Sequence, residues 1–161
     1  MKENKNWVKK FASMLPLMGH RNWIAIVDSA YPYQSGDSIM TINTGENIID
    51  VTDKVIKLLE HADHVRPIIY RDAEFNFMDE SLLEGVDKMK ADFNNVFSGS
   101  KLTTIPHDDI FSLFEKASLL FKIIILKTDC KIPYSSTFIN LDCGYWPANK
   151  EVILREKMKE R

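Results

Sequence analysis

Trp23-Ile24-Ala25-Ile26-Val27-Asp28 decides the fold class. Five apolar residues run without polar alternation and then meet a carboxylate. A strand with one wet face would alternate, so this run fits a central strand covered on both faces. Ile123-Ile124-Ile125-Leu126 reads the same way. Neither run approaches the length of a membrane span.

Working outward, Trp7, Val8, Phe11, Met14 and Leu15 recur at three- and four-residue steps. That spacing predicts a helix closed by Pro16 and Gly19. After the first strand, residues 31–38 read as a loop from their Pro, Gly and Ser content, and 39–42 as a short strand. Asp50 or Thr52 is the expected cap of a helix carrying Val51, Val55, Leu58, Leu59 and Ala62 on one face. Residues 65–70 read as a strand in which Pro67 marks an edge or a start, because proline cannot donate to a ladder. Ser81 and Glu84 form an S-x-x-E capping box. It predicts a helix there with Leu82, Val86, Met89, Phe93 and Val96 on its apolar face, ended by Gly99. A strand at 102–105 and a helix from Asp108 or Asp109, with Ile110, Phe114, Ala117 and Leu120 or Phe121 inward, come next. Residues 137–141 read as the last strand. Residues 149–161 read as a charged helix or tail anchored by Val152, Ile153, Leu154 and Met158. Strands alternating with helices predict an α/β fold, a single layered domain with a partly parallel sheet flanked by helices. No internal repeat and no low-complexity segment is present.

The chain has 161 residues, 45% apolar and 27% charged, which suits one globular domain. Lys and Arg number 21 against 23 Asp and Glu, a formal charge of −2. That balance provides no general attraction to a phosphate backbone or an anionic membrane, so neither nucleic acid nor membrane is an expected partner. Cys130 and Cys143 form no CxxC pair and are expected as buried, reduced thiols. The basic stretch from Lys2 to Lys10 lacks the apolar core and cleavage site of a signal peptide behind it, so a cytoplasmic chain is expected. The nucleotide-binding, zinc-protease and hydrolase motifs G-x-G-x-x-G, G-x-x-x-x-G-K-[ST], H-E-x-x-H and G-x-S-x-G do not occur. Ser98-Gly99-Ser100-Lys101 only echoes a phosphate loop.

Four histidines carry the remaining chemistry. His61 and His64, three apart at a helix end, have a spacing that can hold a metal, but two imidazoles favoured by the helix C-terminus is the simpler reading. His107 follows Pro106 just before a helix, where a capping or solvated role is the default. His20 lies in Gly19-His20-Arg21-Asn22, directly before the first buried strand, and Asp28 ends that strand. Ligands bind at the carboxyl ends of strands in α/β sheets, which makes Asp28 a site candidate. An equally simple reading makes Asp28 a turn cap and His20 a loop residue.

The stretch Leu17-Met18-Gly19-His20-Arg21-Asn22, the strand, Asp28-Ser29-Ala30-Tyr31-Pro32 resembles the opening motif of the D-ribose pyranase and L-fucose mutarotase family. Phe111-Ser112-Leu113-Phe114-Glu115-Lys116-Ala117 through Ile125 is similar to the family's F-x-F-Y-E-R-A helix and following strand. Pro133-Tyr134-Ser135-Ser136, a strand and Gly144 are similar to its Tyr-x-Asn ending. The matches come in order and span residues 7–145. The resemblance implies a sugar mutarotase-like domain over 1–146, with 147–161 as an added charged helix or tail. It implies cofactor-free interconversion of the ring forms of a free monosaccharide, and a ring-shaped homo-oligomer in which the C-terminal segment of a neighbouring subunit completes each site. It makes His20 the general acid and Asp28 and Tyr134 sugar contacts. Ser136 stands where the family has Asn. Ile110 stands where the family has Arg or His, and His107, one turn earlier, is the residue that can fill that place. The reaction suits imidazole, which can give or take a proton near neutrality. Tyr31, Tyr33, Tyr134, Tyr145 and Trp146 can stack on sugar faces or simply pack. A non-catalytic sugar-binding or regulatory protein on the same fold is the alternative.

Overall fold

Trp23–Val27 form strand β1, and all five residues are buried. The structure, a computed structural model, describes residues 6–160. Lys2 and Lys5 of the basic stretch, and Arg161 of the tail, lie outside the described residues. Helix α1 (Asn6–Met14) precedes β1, which is followed by β2 (Ile39–Asn43), α2 (Ile48–Glu60), β3 (Val65–Asp72) and α3 (Val86–Val96). Then come β4 (Leu102–Ile105), α4 (His107–Ser118), β5 (Ile123–Lys127), β6 (Thr137–Cys143) and α5 (Ala148–Lys159). The chain is a single mixed α/β domain, as the alternating pattern predicts.

The strands form one sheet in the order β2-β5-β1-β6-β3-β4. β5 is parallel to β1 and β2, and β4 is parallel to β3. β6 is antiparallel to both β1 and β3. Five strands therefore point one way and β6 alone runs back. All the carboxyl ends of β1 to β5 share one edge with the amino end of β6.

The pleat divides the core. Ile24, Ile26, Ile124, Leu126 and Ile139 meet Trp7, Phe11, Val55 and Phe93 from α1, α2 and α3 on one face. Trp23, Ala25, Val27 and Phe138 meet Ile110 and Phe114 of α4 on the other. Two covered faces explain why β1 and β5 have no polar alternation. Ile124→Ala, in fully buried β5, is expected to cost about 2–5 kcal/mol in urea denaturation, because a close-packed sheet cannot collapse into the void.

Several local expectations need correction. Asn47 caps α2, accepting from the Asp50 N–H at 2.9 Å; neither Asp50 nor Thr52 does. The Ser81–Glu84 box starts no helix. Asp79 instead accepts from the Ser81 N–H, Leu82 is exposed, and Gly85, at φ 93°, precedes α3. The Glu80 carboxylate caps α3 by accepting from the N–H groups of Gly85 and Asp87. Sequence spacing could not distinguish that carboxylate from Glu84. Pro67 sits inside β3, opposite Leu141 of β6, but β4 pairs with β3 only from Ile69 onward, so the strand is locally an edge there. α4 starts at His107, ahead of Asp108 and Asp109. Helix α5 buries no residue, and Val152, Ile153, Leu154 and Met158 are all exposed. Both cysteines are free, Cys130 buried and Cys143 half-buried. Among the described residues no helix is long and apolar enough to cross a membrane.

Candidate active site

The sheet direction gathers polar groups onto its carboxyl edge. Asp28 follows β1, Asp72 ends β3, His107 follows β4, Lys127 ends β5, and the Tyr134–Ser136 turn enters β6. β6 lies between β1 and β3, so the two aspartates are about two strand spacings, roughly 10 Å, apart in the backbone.

His107 is the centre of this group. Its backbone N–H donates to both carboxylate oxygens of Glu74 at 3.0 Å, which fixes the first turn of α4. Its Nδ1 lies 3.0 Å from Asp72 Oδ1. With Asp72 ionised, Nδ1 carries the proton and donates, which leaves Nε2 to accept or deliver one. Nε2 has no hydrogen-bond partner among the described residues. Asp72 is only 1% exposed, so burial pushes its carboxyl above the ordinary 3.8, opposed by the bond and charge of His107. Burial also raises the Asp28 carboxyl, against backbone N–H bonds and the charges of Lys127 and His107. The buried Tyr31 hydroxyl is pushed up to about 12, chiefly by burial, with Asp72 and Asp28 adding to the shift. Lys127 Nζ donates to the Tyr31 carbonyl at 3.0 Å.

Tyr134 closes the group. Its ring meets the His107 ring edge-on, with centroids 5.8 Å apart. Its backbone is left-handed, φ 59°, a conformation costing a bulky residue about 1 kcal/mol or more. Ser136 is 4% exposed, and its side chain makes no hydrogen bond to a described residue.

His20 is elsewhere. It precedes β1 and therefore lies at the opposite edge, with Arg66 at the start of β3 and Asp142 near the end of β6. Five residues of strand, roughly 16 Å, separate the two edges. His20 Nε2 is 3.4 Å from Asp142 Oδ1, and the ring is 57% exposed. Burial pushes Asp142 up, but the Arg66 hydrogen bond and charge, with His20, outweigh it and hold the carboxyl below its ordinary value. These residues border a cavity of about 620 Å³ that Trp146 and Arg155 also line. Arg21, beside His20, is also left-handed, at φ 76°. Within one chain, then, the structure gathers Asp28, His107 and Tyr134 on one edge, buries Ser136 in the turn that enters β6, and sets His20 apart.

The other candidates resolve simply. His64 Nε2 is 2.9 Å from the Met18 carbonyl and 3.1 Å from that of Leu15, pinning the turn after α1. His61 Nδ1 is 2.8 Å from the Lys57 carbonyl of its own helix. No group of three metal-ligating side chains occurs among the described residues. Asp72, Glu74 and Lys127 escaped the sequence reading. Asp72 had a signal, since it ends its strand as Asp28 ends β1, but the strand was expected to stop at Tyr70.

A family model described as the RbsD / FucU transport protein family matches residues 1–143. No curated protein sequence is a significant match. Among solved structures, Bacillus subtilis RbsD complexed with D-ribose is similar at TM-score 0.55 and 19% identity, covering 83% of this chain and 91% of that one. The fucose mutarotase of Streptococcus pneumoniae in complex with L-fucose is similar at TM-score 0.56 and 18% identity, covering 88% and 96%. FucU from Bifidobacterium longum gives 0.55 and 10%, covering 83% and 92%. At these identities the likeness is one of fold.

Proposed function

Because this chain belongs to the RbsD / FucU family, we propose that it is a cofactor-independent mutarotase or pyranase interconverting ring forms of a free monosaccharide. The observation that carries this reading is the His107 imidazole, fixed through Nδ1 to buried Asp72, with Nε2 unpartnered among the described residues and with its charge acting on Asp28. Ring opening needs one proton delivered to the ring oxygen and one taken from the anomeric hydroxyl. A carboxylate-oriented imidazole beside a second carboxylate suits such a relay. His20 is the general acid of this reading, and Asp28, His107, Tyr134 and Ser136 contact the sugar.

His20 and Asp28 stand at opposite edges of one sheet, so a site using both draws them from different copies. The reading is therefore a homo-oligomeric ring in the cytoplasm, in which the His20 edge of one subunit meets the carboxyl edge of the next. Exposed Tyr145 and Trp146 flank His20 and offer surface for that contact. The D-ribose and L-fucose of the similar structures are the first sugars to try. Two-dimensional exchange NMR at equilibrium is the test. Protein-dependent acceleration of ring exchange in one of them supports the reading, and unchanged exchange across a panel of monosaccharides contradicts it.

Ser136 favours a second reading, a sugar-binding protein without catalysis. A nearly buried hydroxyl cannot span what a longer amide would. Calorimetric sugar binding without faster exchange selects this reading.

A further inference from the structure

Arg71 is only 6% exposed, yet it forms no ion pair and no side-chain hydrogen bond with a described residue. It points from β3 to the face opposite Asp72, among aromatic rings. Its guanidinium carbon lies 3.8 Å from the Phe93 ring centre and 5.3 Å from those of Phe75 and Phe97. Rings stabilise a guanidinium through its faces, while its N–H edge still requires acceptors. Arg71 Nε is buried without one. An unpaired buried cation is costly, and a planar fork is best satisfied by a two-oxygen acceptor. Burial lowers the guanidinium to about 10, which keeps it charged at neutral pH.

The guanidinium lines a cavity of about 200 Å³ shared with Lys90, Asn76, Asn94 and Thr104. Lys90 Nζ is held by the carbonyls of Asn76, at 3.3 Å, and Met78. Neutral acceptors leave its charge uncancelled. Asp79 acts on Lys90 only at a distance. Asp72 also borders the cavity, but its carboxylate turns to the other face, where His107 takes Oδ1. Two cations thus line one cavity, neither ion-paired with a described residue.

We propose that this cavity is a binding site for a phosphate group, free or as a phosphate monoester, held by Arg71 and Lys90. Phosphate offers the guanidinium two acceptor oxygens and the ammonium a third. The site is separate from the sugar site proposed above and does not depend on it.

Calorimetry and ³¹P NMR with inorganic phosphate and ribose 5-phosphate test it. Wild type is expected to bind at least one phosphate compound saturably below about 10 mM. Tighter binding of the ester identifies a phosphorylated metabolite as the natural ligand, and tighter inorganic binding identifies free phosphate. Arg71→Met is expected to weaken binding by about tenfold or more, and Lys90→Gln severalfold. Lys90→Gln carries the test should Arg71→Met fail to fold. No saturable binding by wild type, or unchanged affinity in a folded variant, overturns the proposal.

Discussion

His20→Ala slows monosaccharide ring exchange by about two to four powers of ten, with a smaller change in sugar affinity. That outcome follows if the imidazole delivers a proton in the transition state and contacts the ground-state sugar only weakly. The partner Asp142 fits this role. It is already engaged by Arg66, so it orients the His20 ring at 3.4 Å without fully neutralising it. The ring's exposure also predicts a quiet structural effect: truncation of a 57% exposed side chain leaves thermal stability within a few tenths of a kcal/mol. Unchanged exchange in a folded His20→Ala protein removes His20 from the chemistry.

Asp72→Asn lowers exchange by about ten- to a hundredfold and at the same time raises Tm at neutral pH. The activity arm rests on the 3.0 Å contact to His107 Nδ1. An amide makes the ring less basic, and its oxygen holds the tautomer only weakly. The stability arm follows from linkage. Asp72 is raised above its ordinary 3.8 in the folded chain, mainly by burial. The native state therefore holds that proton more tightly than the unfolded chain, and the stabilisation is full below the unfolded value. It is lost as pH rises through the folded value, so at neutrality the ionised group is a net burden that Asn removes. Asp28, raised the same way, moves the acid limb of the exchange profile above the ordinary carboxylate range. Scanning calorimetry and a pH–rate series read both arms. A variant that loses stability at neutral pH contradicts the linkage argument.

Much of this architecture is legible in the chain. The doubly covered run at 23–27 and its counterpart at 123–126 announce a central parallel pair, because burial on both faces erases alternation. What the pattern could not show is direction. Whether His20 and Asp28 share a pocket depends on which edge each occupies. The strand between them makes that answer no for a single chain, although the two are only eight residues apart. The reversed course of β6 was equally hidden, and it carries Tyr134 and Ser136 to the carboxyl edge and Asp142 to the other. The Asp72–His107 contact joins residues 35 apart and had only half a signal, in the aspartate ending β3. Glu80 displaced the expected capping box because a carboxylate can reach a helix end from several positions, and spacing does not choose among them.

The shared-site account is tested most directly by mixing inactive variants. His20→Ala and Asp28→Asn proteins, each assayed alone and then refolded together, should recover roughly a quarter of wild-type exchange. This is the fraction of interfaces that pair an intact His20 edge with an intact carboxyl edge under random assembly. Mixing His107→Ala with Asp28→Asn should recover nothing, since both lesions fall on the same edge. A His20→Ala and Asp28→Asn mixture that stays as slow as its parts, while mixed oligomers are seen by native mass spectrometry, contradicts the claim that one sugar is handled by two copies of this chain.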